Sequence, residues 1–235
     1  MSTLFKKYSI YILSINIIVF TTISLIVYSY YLSLTKVIKD YHSINLQKTD
    51  NLMIVSHPND EIIFGGAHLL NDNYLVVCIT CGEDSKITRE FVEVMQKTND
   101  QYIILGYPEY ARDERENWDN YLLDMKYNLE TIVGLKKWDT IVTHNPEGEY
   151  GSLQHKLVSM VVTKIAPKNN LYYFGKYHTK KTIVNYYDKL TQMNKNTLNQ
   201  KIKLIGIYKT EKYIQTEFSH IYNYEEWLKY TEWSE

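Results

Sequence analysis

The 235-residue chain has little of several things that would narrow its class at once. It has two cysteines, so it is not a disulfide scaffold. Its nine glycines and four prolines exclude collagen-like or linker-like low complexity. Neither sign of charge is in excess: 26 Lys and Arg stand against 27 Asp and Glu. A nucleic-acid partner normally demands a clear basic surplus, so none is expected. What the chain has in quantity is apolar and aromatic surface. Hydrophobic residues make up 45%, too many for a disordered tail, and tyrosine alone occurs 23 times. Many of those rings must pack while their hydroxyls stay wet or paired. The length suits one domain with an appendage.

The appendage is at the amino end. From Tyr8 to Thr35 no residue is charged, and Ile10 to Val27 is apolar on every face. As a helix at about 1.5 Å per residue, that run exceeds the roughly 30 Å of a hydrocarbon core. Residues 8–34 are therefore expected to form a single transmembrane anchor. A signal peptide opened by Lys6 and Lys7 is the rival, though the run is long and no small-residue cleavage site follows. A buried core helix is the third possibility. The lysines before the run (Lys6, Lys7) and after it (Lys36, Lys39) balance, so they do not set which face of the membrane the rest occupies. Residues 35–50 read as a polar linker, and 51–235 as the folded domain.

That domain alternates strand and helix. Apolar, β-branched runs at 52–56, 74–80, 102–105, 140–143 and 171–174 predict buried strands. Helical periodicity predicts helices over 61–70, 89–98, 118–135 and 154–165, and the tail from Glu211 reads as a partly helical cover. The order implies an α/β fold, a mostly parallel sheet covered on both faces. In such sheets ligands bind beyond the carboxyl ends of the strands.

Two segments lie at such ends. His57-Pro58-Asn59-Asp60-Glu61 follows the first strand, and the stretch from His144 to His155 follows the fourth. Parallel strands put both on one rim, where an imidazole and a carboxylate from the first and an imidazole from the second make a three-ligand site. Zinc suits three protein ligands with an open fourth position, and acidifies water there into a nucleophile. Singly the signals are modest. His-Pro is commonly a turn, Asp60 and Glu61 suit a helix start, and His155 could be an ordinary helix residue. Cys78-Ile79-Thr80-Cys81 sits at a strand end, where a buried Cys78 and a loop Cys81 are the plainer reading than a redox pair. Arg112 to Glu116 reads as a solvated charge run that could also rim the pocket.

SHPNDEIIFGG (Ser56–Gly66) resembles the first signature of the PIG-L/LmbE-like de-N-acetylases, usually His-Pro-Asp-Asp-Glu. THNPEGEYGSLQH (Thr143–His155) resembles their second, usually Gly-His-x-x-His. ITCGED (Ile79–Asp84) and KLIGIY (Lys203–Tyr208) resemble two further family segments, in the right order. The resemblance implies a Rossmann-like fold. It also implies zinc-dependent removal of an N-acetyl group from a GlcNAc-bearing small molecule or glycolipid, such as GlcNAc-phosphatidylinositol. It carries the zinc ligands onto His57, Asp60 and His155.

Two positions depart from the family pattern. Its general base falls on Asn59, whose amide cannot take a proton; losing such a base costs roughly 10²–10⁴-fold in rate. Its oxyanion-stabilising histidine falls on Ser152, a loss of about 10²–10³-fold. Asn59, Ser152 and His144 are accordingly the expected catalytic positions, and Arg89, Glu61 and Glu149 the expected substrate contacts. Glu147 and His178 are further conceivable stand-ins. A zinc-bearing, sugar-binding relative with impaired catalysis is the alternative to an active enzyme.

Overall fold

The computed structural model describes Tyr8 and residues 11–28, 44–81, 85–111 and 114–233. Residues 35–43 of the expected linker, 29–34 of the expected anchor, Gly82–Asp84 and Arg112–Asp113 lie outside the described residues. The chain divides into two units at Ser43 and Ile44.

In the first unit, helix α1 (Tyr11–Tyr28) has a mean hydropathy of 2.0, long and apolar enough to cross a membrane. Its side chains are exposed all round, Phe20 to 71%. Its threonine hydroxyls are satisfied within the helix: Thr21 donates to the Ile17 and Ile18 carbonyls and Thr22 to that of Ile18. This is the internal bonding that a helix in hydrocarbon requires.

The second unit is a mixed α/β domain. Strands β1 (Asn51–Val55), β2 (Tyr74–Cys78), β3 (Gln101–Ile104), β6 (Ile141–Thr143) and β7 (Leu171–Phe174) run parallel, and β8 (Trp227–Lys229) closes one edge antiparallel to β7. The order is β3-β2-β1-β6-β7-β8. The tail expected as a cover thus also supplies an edge strand. A small hairpin, β4 (Tyr110–Ala111) and β5 (Glu114–Arg115), stands apart from the sheet.

Continuous apolar strands need cover on both faces. Met53, Val55, Val76, Cys78, Val142 and Phe174 share one core with Ile62 and Ile63 of α2 (Asp60–Leu69), Phe91 and Val94 of α3 (Lys86–Thr98) and Leu204 of α6 (Lys195–Ile205). The alternate residues Leu52, Ile54, Leu75 and Val77 are also fully buried. Helices α4 (Leu122–Val133) and α5 (Leu153–Ile165) pack on each other, and α5 lies against β1 and β6. Each fully buried aliphatic chain contributes about 1.5–3 kcal/mol over its exposed state.

Helix α2 is gripped by a buried ion pair. Lys201 Nζ lies 2.6 Å from Glu225 and donates to the Ile63 carbonyl at 2.7 Å, while Glu225 accepts from the Ala67 N–H at 2.8 and 2.9 Å. Trp227 Nε1 donates to the Phe64 carbonyl. Gly65 lets this region close up, since a Cβ there would meet Met53 Cε at 2.5 Å. These contacts fix the helix whose first residue is Asp60. Two short helices, α7 (Ile214–Glu217) and α8 (Tyr230–Trp233), complete the domain.

Candidate metal centre

Strands β2 and β3 lie to one side of β1, and β6, β7 and β8 to the other. The strand order therefore reverses between the parallel strands β1 and β6, the switch point at which a crevice opens beyond the strand ends. The loop after β1 carries His57 and Asp60; the loop after β6 leads into α5 and His155.

The three donor atoms converge. His57 Nδ1 is 3.2 Å from Asp60 Oδ2 and 3.3 Å from His155 Nε2, and His155 Nε2 is 3.4 Å from Asp60 Oδ2. All three residues are buried. A tetrahedral ion with bonds of about 2.1 Å has ligand–ligand edges of about 3.4 Å, so the triangle matches one face of such a site.

The surrounding hydrogen bonds set which atoms carry protons. Gln154 Nε2 donates to the Glu109 carbonyl at 3.0 Å and the Glu116 carbonyl at 2.9 Å. That orients its Oε1 as acceptor for His57 Nε2–H at 2.6 Å, leaving His57 Nδ1 a bare lone pair. Arg115, 3.2 Å from that Nε2, donates to the same Gln154 oxygen. On the other ligand, Glu149 Oε2 accepts from His155 Nδ1–H at 2.6 Å, so His155 Nε2 is bare as well. Burial raises the Asp60 pKa, but the imidazoles of His155, His144 and His57 outweigh it and hold the carboxyl well below the usual range. Two lone pairs and a carboxylate oxygen thus face one another with no proton to share. A cation satisfies all three, and His57, Asp60 and His155 are the residues that could hold it.

Glu149 is the second layer of this centre. Burial raises its pKa, but His144 and His155 beside it, both donating to its carboxylate, lower it to about 2. It also accepts the Asn145 N–H at 2.8 Å. His144 stacks on His155 at 3.8 Å between centroids. Burial lowers the His144 pKa while Glu149 and Asp60 raise it to about 9. The Ser56 N–H, 2.9 Å from His144 Nε2, nevertheless occupies the nitrogen a second proton would need. The neutral Nδ1–H ring is the form this geometry accommodates.

His57 and Asp60 of the triangle, with His155 buried behind the wall, line a cavity of about 350 Å³ together with Asn59, Glu109, Tyr110, Arg115, Tyr150, Glu211, Tyr213 and Phe218, among others. Asn59 has φ 84° and makes no side-chain cap to α2. This left-handed conformation is one that Asn and Asp tolerate.

Several expected site residues lie elsewhere. Ser152 caps α5, accepting the His155 N–H at 3.4 Å, and does not line the cavity. His144 and Glu149 have fully buried side chains spent on each other, on His155 and on backbone, and neither lines the cavity. Glu61 is fully buried and accepts the Tyr208 hydroxyl; burial, chiefly, raises its pKa to about 8. Arg89 is exposed on α3, outside the cavity wall. Glu147 is exposed, and His178 lines a separate, mostly apolar recess of about 50 Å³ that holds no triangle residue. Cys78 is buried and Cys81 partly buried, both as free thiols.

Conversely, Gln154, Glu109, Tyr110, Glu211 and Tyr213 were not anticipated. Arg115 was foreshadowed only as part of a charge run following β3.

Fold and site together define an α/β protein with a buried His-Asp-His triangle, suited to a metal ion, at the switch point of its sheet. The chain is 33% identical over 196 residues to "Uncharacterized protein L374" of Acanthamoeba polyphaga mimivirus, covering 74% of this chain and 77% of that protein. It belongs to the same family as that viral protein. No family model matches the chain. Among solved structures, GalB, the 4-carboxy-2-hydroxymuconate hydratase of Pseudomonas putida KT2440, is similar at 11% identity and a TM-score of 0.49. That alignment covers 74% of this chain and 84% of GalB.

Proposed function

We propose that the protein is a zinc-dependent amide hydrolase of the PIG-L/LmbE type, with the Rossmann-like fold of that family. It would remove the N-acetyl group from a GlcNAc-bearing glycan or glycolipid while tethered to a membrane by α1. The observation that carries the reading is the triangle of His57 Nδ1, Asp60 Oδ2 and His155 Nε2, with edges of 3.2–3.4 Å and two of its residues, His57 and Asp60, on a cavity wall. Zinc bound there supplies Lewis acidity toward an acyl carbonyl and brings the pKa of water toward about 7.

The chain's own groups do the rest. The rings of Tyr110, Tyr150, Tyr213 and Phe218 wall the cavity and suit the apolar face of a sugar. Arg115, Glu109 and Glu211 offer polar partners for hydroxyls. Asn59 can orient an amide or water by hydrogen bonding but accepts no proton. Besides Asp60, the carboxylates on the described cavity wall are Glu109 and Glu211. In this reading one of these takes the proton that the family's aspartate would take.

The amide at Asn59 also favours a second reading: a zinc-bearing, sugar-binding module whose turnover is slow. Acetate release from GlcNAc-phosphatidylinositol and simpler GlcNAc conjugates separates the two. Turnover that depends on zinc supports the hydrolase. Binding of the conjugates without acetate supports the module, and neither binding nor release removes both.

A further inference from the structure

Gln154 touches both a triangle residue and the backbone on either side of the β4–β5 hairpin. Its Oε1 accepts from His57 Nε2–H at 2.6 Å. Its Nε2 donates to the carbonyls of Glu109 and Glu116, the two residues that flank the β4–β5 hairpin. The two flanking residues are themselves linked, because the Glu116 N–H donates to the Glu109 carbonyl at 2.9 Å. Arg115, on the second hairpin strand, donates to Gln154 Oε1 at 3.1 Å and pairs with Glu109 at 3.0 Å. Its guanidinium lies 5.2 Å from the Tyr110 ring centroid. Gln154 itself is 1% exposed.

We propose that Gln154 is a positioning residue that couples the metal ligand His57 to the wall formed by Glu109, Tyr110 and Arg115. Metal binding and ordering of that wall are then one linked equilibrium. This inference rests on the metal-centre part of the proposed function and not on the deacetylation.

The physical basis is the double duty of a single amide. A metal on His57 Nδ1 fixes the ring and polarises Nε2–H, strengthening its bond to Gln154 Oε1. The amide is planar, so fixing its oxygen fixes the direction of its two N–H groups, and with them the carbonyls they hold. Linkage makes the effect reciprocal: a wall held in place presents Oε1 to His57 and tightens the metal. No alternative donor to the two carbonyls exists on Gln154 once the amide turns, because a flipped amide would set its N–H₂ against His57 Nε2–H.

The test uses the full chain in detergent or nanodiscs, with zinc as the probe and no substrate. Hydrogen exchange at the amides of Tyr110, Arg115 and Glu116 is compared with and without zinc, and zinc affinity is measured by chelator competition. In the wild type, zinc slows exchange at these amides. Gln154→Leu keeps the volume and loses both functions; its zinc affinity falls about 10–100-fold, and the exchange difference at the wall disappears. Gln154→Glu keeps an acceptor for His57 and loses the donors. It retains zinc affinity within a few-fold but leaves the wall amides unprotected. That split is one a merely structural role would not produce. Circular dichroism of each variant checks the fold, and the wild-type exchange comparison needs no variant at all. Wall amides indifferent to zinc in the wild type, or wild-type zinc affinity in Gln154→Leu, would overturn the coupling. Absence of any zinc uptake would overturn both the coupling and the metal centre, whereas coupling without acetate release would sink only the deacetylase reading.

Discussion

Glu149 Oε2 lies 2.6 Å from Nδ1 of His155, a buried charge-assisted hydrogen bond that turns the ring's other nitrogen into the lone pair of the metal triangle. Glu149→Gln replaces a carboxylate that serves His155 and His144 together with an amide that presents one N–H₂ and one oxygen. Zinc affinity is expected to fall about 10–100-fold, the usual cost of losing such a partner. Chelator competition measures it; an unchanged affinity would show that Glu149 does not set the ring's tautomer.

Asn59→Asp places a carboxylate on the cavity wall in a backbone conformation that aspartate also tolerates. If the natural protein lacks an efficient proton acceptor, acetate release rises roughly 10²–10⁴-fold in the variant. Equal rates would show that another group, Glu109 or Glu211, already performs the task. Glu109→Gln and Glu211→Gln would then identify which.

Gly148 stands one residue before Glu149 with φ 69°, and a Cβ there would collide with the Ser152 carbonyl. Gly148→Ala should cost about 1–3 kcal/mol of stability, read from urea unfolding. It should also weaken zinc binding, because the same turn presents Glu149. Loss of stability with full zinc affinity would separate the turn from the metal centre.

Asp100 gives the fold a pH dependence far from that centre. Burial, chiefly, raises its pKa from 3.8 to about 7 in the folded state. A raised carboxyl binds its proton more tightly folded than unfolded. Its contribution is therefore fully present below about pH 4 and is lost as pH rises through about 7. At about 1.4 kcal/mol per unit the loss is bounded near 4 kcal/mol. Asp100→Asn keeps an acceptor for the Tyr74 N–H, which the carboxylate binds at 2.8 Å. Unfolding measured at pH 5 and pH 8 should show a smaller decline in this variant than in the wild type; equal declines would contradict the assignment.

The elements that could be read from sequence are those whose burial is continuous. β1, β2 and β7 are apolar runs, and their bounds fall within two residues of expectation. The hairpin escaped notice because Glu114 and Arg115 carry no apolar signal, and its strands are two residues long. β8 escaped because Trp227-Leu228-Lys229 borrows its strand character from pairing with β7. The same logic divides the site. That His57, Asp60 and His155 come together could be expected from sequence because their segments follow strands of a parallel sheet. Glu211, Tyr213 and Phe218 reach the cavity from the tail, and nothing local in their sequence points there. Ser152, His144, Glu61 and Glu149 were matched by type to catalytic or substrate roles, yet burial and capping already occupy their polar atoms.

The most direct test of the central claim is the metal content of the purified full chain, followed by zinc K-edge absorption of the loaded protein. The account predicts one zinc per chain in a four-coordinate nitrogen and oxygen shell, lost in both His57→Ala and His155→Ala variants that remain folded. A folded wild-type chain that is metal-free and takes up none, or zinc that survives both substitutions, would contradict it.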